Sequence, residues 1–295
     1  MPLAFESFSF DEYDLVISVT SEAAKGVITK PGTVHVCYCL TPTRYLWSGY
    51  DEYFKNQLLR FIAKPIILYL KAWDKIAAQR PDRFIAISQE VKKRIKKYYD
   101  RNSEVIYPPL QIPNSKSQIT NNSKNTKHKI LDTGYFLVVS RLVPYKRIDI
   151  AVKAFNKLKL PLKIVGDGSE KETLEQMAES NIEFLGYLTD KELVGYYKEC
   201  QALIFPGKED FGLTILEAQS FGKPVIAFEG GGALETIIEN KTGMFFTPQT
   251  DEALIRSVND FMKKKFIPND CIKQAEKFNI EMFNNRIKEE FITIL

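Results

Sequence analysis

Short apolar runs of strand type alternate with segments of helical period along almost the whole of this 295-residue chain. In the first half, Asp14–Val19 (DLVISV), Val34–Cys39 (VHVCYC), Arg83–Ser88 (RFIAIS) and Glu104–Tyr107 (EVIY) read as strands, with helices expected over Tyr53–Ala78 and Gln89–Tyr99. The second half repeats the rhythm. Strands are expected at Tyr135–Ser140, Leu162–Val165, Ile182–Leu185, Ala202–Phe205 and Pro224–Phe228, and helices at Ile148–Leu158, Lys171–Ser180, Lys191–Lys198 and Leu213–Ser220. Successive strands joined through helices run parallel, and a parallel sheet is covered by helices on both faces. The pattern therefore predicts an α/β protein with parallel sheets.

A chain of this length has room for two such units. The segment Ile112–Lys129 is rich in Asn, Ser, Lys and Thr and follows Pro108-Pro109, which ends a strand and forbids a helix. The expected division is a first unit over residues 1–111, a linker over 112–130, a second unit over 131–270 and a terminal helical segment over 271–295. That last segment carries an apolar stripe of Ala275, Phe278, Phe283, Ile287 and Phe291.

Composition narrows the classes. Apolar residues make up 44% and charged residues 26%, which supports a folded core. The apolar run Phe61–Leu70 is broken by Lys64 and Pro65 and falls short of the roughly 20 residues of a membrane span. The start of the chain does not read as a secretory signal. Four scattered cysteines do not make a disulfide framework, which points to a reducing, cytoplasmic compartment. Cys37 and Cys39 share one face of a strand and are expected in the core. Two histidines, His35 and His128, give a zinc site little to draw on. Charge is uneven: residues 55–101 hold 13 basic and 4 acidic side chains. Such a run suits an anionic lipid or nucleic-acid surface, or simply a solvated helix face.

Ligands of open α/β sheets bind where strand carboxyl ends meet helix N-termini. Four loops of the second half lie at such places. Arg141 and Lys146 follow the first strand, close enough to converge on one anion. Gly166-Asp167-Gly168 follows the second; as a dinucleotide fingerprint it is weak, because Lys171 occupies the third glycine position. Pro206–Gly212 leads into a helix carrying Glu217, and Glu229–Gly232 follows the next strand. A helix starting after Gly212 aims free N–H groups at the loop, a suitable place for a diphosphate. The cations would add charge for a leaving diphosphate. Glu217 is placed for ribose hydroxyls and Glu209 for sugar hydroxyls.

The stretch EDFGLTILEAQSFGKPVIAFEGGGALETI, with SRLVPYKR before it, resembles the donor domain of family-4 retaining glycosyltransferases of the GT-B fold. FESFSFDEYDLVISVTSEAAKGV, HVCYCLTPTRYLW, LKAWDKIAAQRPDRFIAIS and VIYPP are similar to the mannosyltransferase-like branch that serves O-antigen and capsule assembly. The resemblance implies two Rossmann-like domains facing a cleft, the first shortened at its start. It implies a catalytic set of Glu209, Arg141 and Lys146. The donor set would be Gly166, Gly212, the backbone N–H groups of Leu213 and Thr214, and Glu217. It implies no metal and no cofactor beyond a nucleoside-diphosphate sugar donor, GDP-mannose favoured. The acceptor would be a glycan or lipid-linked glycan, with peripheral contact to an anionic membrane and no nucleic-acid partner. The terminal helix would return to the first domain. One position departs from the branch: Leu40 stands where a histidine is usual in the loop after HVCYC. Two other readings stay open, a nucleotide-sugar-binding partner subunit without catalysis and a sugar-nucleotide epimerase.

Overall fold

The computed structural model describes residues 2–50, 57–111 and 134–292. The expected linker and the first residues of the helix expected from Tyr53 lie outside these. The described chain divides into two units, Met1–Pro108 with Phe283–Leu295, and Pro109–Met282.

The first unit begins with a short helix α1 (Pro2–Glu6) and builds a parallel sheet from β1 (Leu15–Thr20), β2 (Val34–Cys39), β3 (Arg83–Ala86) and β4 (Glu104–Val105), in that spatial order. Between β2 and β3 lies α2 (Gln57–Ala77), and between β3 and β4 lies α3 (Gln89–Tyr99). The bounds of α3 follow from its ends: Ser88 Oγ accepts from the Val91 N–H at 3.0 Å, and Asp100 closes the helix in the left-handed region at φ 54°. β2 is buried almost throughout, and Cys37 and Cys39 face the core as their spacing predicts. β1 buries only Val16, Ser18 and Thr20, while Ile17 and Val19 on its other face are exposed.

A buried ion pair ties this unit together. Lys25 and Asp74 are 2.6 Å apart and almost inaccessible to solvent. The Asp74 carboxylate also accepts from Thr43 Oγ1 at 2.9 Å, Trp47 Nε1 at 2.7 Å and the Tyr99 hydroxyl at 2.8 Å. One carboxylate thus joins α2, α3, the loop after β2 and the turn after β1.

His35, on β2, is fully buried. Its Nε2 lies 2.8 Å from Ser18 Oγ and its Nδ1 has no partner among the described residues. Burial pushes its pKa down from near 6.5 to about 4, against the opposing pull of Asp82. The unfolded chain takes up this proton first as pH falls, so the stability it contributes is present above pH 6.5 and lost on the way to pH 4. The loss should total about 3 kcal/mol. Its ring signals should keep the neutral shift down to about pH 4; titration near pH 6.5 would contradict this.

The second unit is a six-stranded parallel sheet in the order β10-β9-β8-β5-β6-β7. Its elements are β5 (Phe136–Val139), α4 (Ile148–Leu158), β6 (Leu162–Val165), α5 (Lys171–Met177), β7 (Ile182–Gly186), α6 (Asp190–Glu199), β8 (Leu203–Phe205), α7 (Leu213–Ser220), β9 (Val225–Phe228), α8 (Ala233–Thr236), β10 (Gly243–Phe246), α9 (Asp251–Phe261) and α10 (Pro268–Glu276); a last helix, α11 (Ile280–Ile292), has only its first three residues in this unit. Alternation along β5 explains why both faces are covered. Phe136 and Val138 point to a core shared with α4 and α9, while Leu137 points to a second core holding Tyr197, Ile215 and Ala218.

The end of the chain corrects one expectation. The returning segment begins at Phe283, not at 271. α10 stays with the second unit because Cys271 and Ala275 are fully buried there, and Gln274 Nε2 donates to the Thr236 carbonyl at 3.3 Å. From Phe283 onward, α11 belongs to the first unit. The Phe283 ring meets Tyr38 edge-on at 6.0 Å, and Glu290 lies 3.7 Å from Arg83.

Candidate functional site

The strand order of the second unit reverses between β5 and β8. From β5 the chain moves outward through β6 and β7, then returns to β8 on the other side. Loops leaving the carboxyl ends of two such strands diverge and leave a crevice for a ligand. The loop after β5 carries Arg141 and a tight turn, Pro144–Lys146. The loop after β8 carries Gly207, Glu209 and Gly212. The two meet: Lys146 Nζ forms an ion pair with Glu209 Oε1, both side chains mostly shielded from solvent. A Cβ on Gly207 would sit 2.8 Å from the Lys146 carbonyl oxygen, so only glycine lets the loops approach this closely. Arg141 is exposed, and its guanidinium donates to the Tyr145 hydroxyl at 2.7 Å.

The glycine loops on either side act as supports. At Gly166, φ is +135° and a Cβ would lie 1.8 Å from the Ser140 carbonyl oxygen, next to Arg141. The Gly232 N–H donates to the Glu209 carbonyl at 2.9 Å, and a Cβ there would lie 2.3 Å from Phe211 Cα. The triple glycine therefore packs its backbone against Glu209–Phe211 and fixes that loop's course.

α7 starts at Gly212 with no side-chain cap and no acidic residue in its first turn. The N–H groups of Leu213 and Thr214 belong to the set that a helix leaves without intrahelical acceptors. The positive end of the helix dipole lies here.

One and a half turns further, Glu217 enters different surroundings from Glu209. Its Oε2 accepts from the Tyr197 hydroxyl at 2.7 Å. Burial holds its carboxyl above the usual range; the Tyr197 hydrogen bond works against that shift and the charge of Asp190 adds to it. Glu217 and Leu213 line a pocket of about 360 Å³ with Tyr197, Asp190, Leu193 and Phe221. The pocket places a carboxylate, a second acid and an aromatic floor beside the start of α7, a set able to hold hydroxyls and a flat ring.

The structure thus brings Lys146 to Glu209, Gly166 to the Arg141 loop, and Leu213 to Glu217. Tyr197 and Asp190 are the residues that sequence reasoning missed. They lie on α6, twenty and more residues before Glu217, with no motif to mark them. Among the described residues, no group of three or more His, Cys, Asp or Glu side chains could hold a metal ion.

Known structures share this architecture. The crystal structure of Anabaena Alr3699/HepE in complex with UDP matches 96% of this chain and 79% of its own, with a TM-score of 0.72 at 22% identity. Two parallel α/β sheets and neighbours of this kind define a GT-B glycosyltransferase fold. The chain belongs to the family described as glycosyl transferases group 1, which matches residues 120–278. The O-antigen chain mannosyltransferase C of Escherichia coli is 27% identical over 225 residues, 73% of this chain and 58% of that protein. The alpha-1,3/1,6-mannosyltransferase ALG2 of Dictyostelium discoideum is 27% identical over 237 residues, 66% of this chain and 56% of that protein. The chain therefore spans a little under three fifths of the length of these curated relatives.

Proposed function

We propose that the chain transfers a hexose, mannose favoured, from a nucleoside diphosphate to a glycan or lipid-linked glycan with retention of anomeric configuration. The observation that carries this is the meeting of the Lys146 and Glu209 loops at the strand reversal, beside the uncapped start of α7. In this reading the Leu213 and Thr214 N–H groups and Arg141 take the diphosphate. Lys146 turns from Glu209 to the same phosphates, and freed Glu209 accepts hydroxyls of the transferred sugar. Glu217 accepts from the ribose. Charge that grows on the leaving diphosphate is met by the helix dipole and two cations, so no metal is required. The leaving phosphate oxygen assists removal of the acceptor proton. GDP-mannose is the favoured donor, and work at the cytoplasmic face of a membrane suits a lipid-linked acceptor.

Calorimetric titration with GDP and UDP tests the donor half. A charge-assisted contact contributes ~1.5–3 kcal/mol, so Arg141→Ala and Lys146→Ala should each weaken nucleotide binding roughly ten- to hundredfold. Glu217→Gln should weaken it too. It should also remove the loss of affinity that protonation of Glu217 causes on acidification. Glu209→Gln should lower turnover more than nucleotide affinity. Unchanged GDP and UDP affinity in both cation variants overturns the assignment. Leu40 favours the second reading, a subunit that binds the nucleotide sugar without turning it over. That reading holds if titration succeeds and transfer from GDP-mannose and other donors is nil.

A further inference from the structure

Among the described residues of α6, Tyr197 alone is buried, at 2% exposure. It shares a core with Leu203, Phe205, Ile215 and Ala218. Its ring stacks on Phe221, with centres 5.7 Å apart and planes 13° from parallel. Phenylalanine would fill this place equally well. A hydroxyl here costs stability unless it is hydrogen-bonded. Its partner is the Glu217 carboxylate, with Oε2 at 2.7 Å. Burial raises the Tyr197 hydroxyl well above its ordinary range, and the charge of Glu217 adds to that. The hydroxyl therefore keeps its proton and acts as a donor.

The stacked ring makes that donor a fixed point. The start of α6 is fixed as well: the Thr189 N–H donates to Glu192 Oε2 at 2.8 Å, and the Thr189 side chain accepts from the Glu192 N–H. A glutamate left to itself samples several rotamers, and a ligand that orders it binds less tightly for doing so. The bond to Tyr197 removes that freedom in advance. It takes Oε2 and leaves Oε1, which makes no hydrogen bond among the described residues. Glu217 and Tyr197 both line the pocket of about 360 Å³ beside Leu213.

We propose that Tyr197 is a positioning residue of the donor site. Its hydroxyl pins one carboxylate oxygen of Glu217 and so presents the other to the hydroxyls of a ribose, which makes the site prefer a ribonucleotide to its 2′-deoxy form. The inference rests on the reading of Glu217 as the ribose acceptor and adds a residue that acts through it. Burial raises the Glu217 carboxyl, the Tyr197 hydrogen bond lowers it and the charge of Asp190 raises it. On α7 itself, the Ser220 hydroxyl donates to the Glu217 main-chain carbonyl, not to the carboxylate. Without the Tyr197 hydroxyl, Glu217 takes up its proton at higher pH.

The test is calorimetric titration of the full chain with GDP, UDP and their 2′-deoxy forms over a range of pH. The wild type should bind GDP or UDP roughly tenfold or more tighter than the deoxy form of the same base. Tyr197→Phe keeps the ring and its stack, so thermal unfolding should stay cooperative. Its ribonucleotide affinity should fall roughly five- to thirtyfold, and the preference over the deoxy form should shrink severalfold. The loss of affinity on acidification should shift to higher pH in Tyr197→Phe and to lower pH in Asp190→Asn. On a Glu217→Ala background, Tyr197→Phe should change affinity no further. An unchanged ribose preference with an unchanged pH profile in Tyr197→Phe overturns the proposal; the reading of Glu217 stands in that case if Glu217→Ala still weakens binding. An equal loss for both sugars with an unmoved pH profile also overturns it and leaves Tyr197 a packing role. Glu217→Ala with wild-type affinity and preference defeats the ribose reading and this proposal together, as does a wild-type chain that binds neither GDP nor UDP.

Discussion

Asp74→Ala is expected to destabilise the first unit by about 3–5 kcal/mol, out of a total near 5–15 kcal/mol for a typical domain. The substitution strands the Lys25 ammonium in a site that solvent does not reach. It also removes the common acceptor of Thr43, Trp47 and Tyr99. Asp74→Asn keeps an acceptor of the same size without the charge and should cost less. Adding Lys25→Met to Asp74→Ala should recover part of the loss, since it removes the stranded charge; non-additivity of this kind is the signature of a direct pair. Both tryptophans, Trp47 and Trp73, lie in the first unit, so their fluorescence during urea unfolding reports on it alone. A midpoint for Asp74→Ala equal to that of the wild type would falsify the account.

Gly166→Ala should be nearly as severe and act on the other unit. The backbone there holds φ +135°, and the new methyl would lie 1.8 Å from the Ser140 carbonyl oxygen. Backbone strain of about 1–3 kcal/mol and overpacking of about 1–3 kcal/mol add to about 2–6 kcal/mol. The main chain from Ser140 to Arg141 must move to make room, so nucleotide affinity should fall at least as far as in Arg141→Ala. Gly195→Ala is the control. That glycine lies inside α6, and its Cβ would meet nothing within 4 Å. A gain of about 0.5–1 kcal/mol is expected there. Gly166→Ala with normal stability and normal nucleotide titration would remove the supporting role given to this loop.

Much of the fold was written locally in the chain. α3, α4 and α7 begin and end where their apolar period and flanking residues predict, and β6 matches its apolar run. β10 and α9 were not anticipated, although α9 carries its own signal: Thr250 caps it by accepting from the Ala253 N–H, ahead of Asp251 and Glu252. What periodicity does not carry is direction. The pattern in α2 shows that one face is apolar, but an inward and an outward apolar face have the same period. The site divides in the same way. The loops at the ends of β5, β6, β8 and β9 were legible because strand ends are where open sheets bind ligands. The Lys146–Glu209 pair and the Tyr197–Glu217 bond were not, because each joins residues far apart in sequence. The glycine triplet was readable as a turn; its packing against Glu209–Phe211 depends on neighbours 21 to 23 residues earlier.

The first unit is assembled from two stretches of chain that 174 residues separate. A ribosome adding about 5–20 residues per second would therefore take about 9–35 s to go from Pro108 to Phe283. During that interval Tyr38 has no Phe283 ring against it and Arg83 has no Glu290. The second unit, which is one continuous stretch, can complete its sheet as soon as it emerges. The part of the protein that is made first is thus the part that finishes folding last, and a nascent chain stalled before residue 283 would hold a complete second unit and a first unit whose sheet still lacks its terminal helical segment.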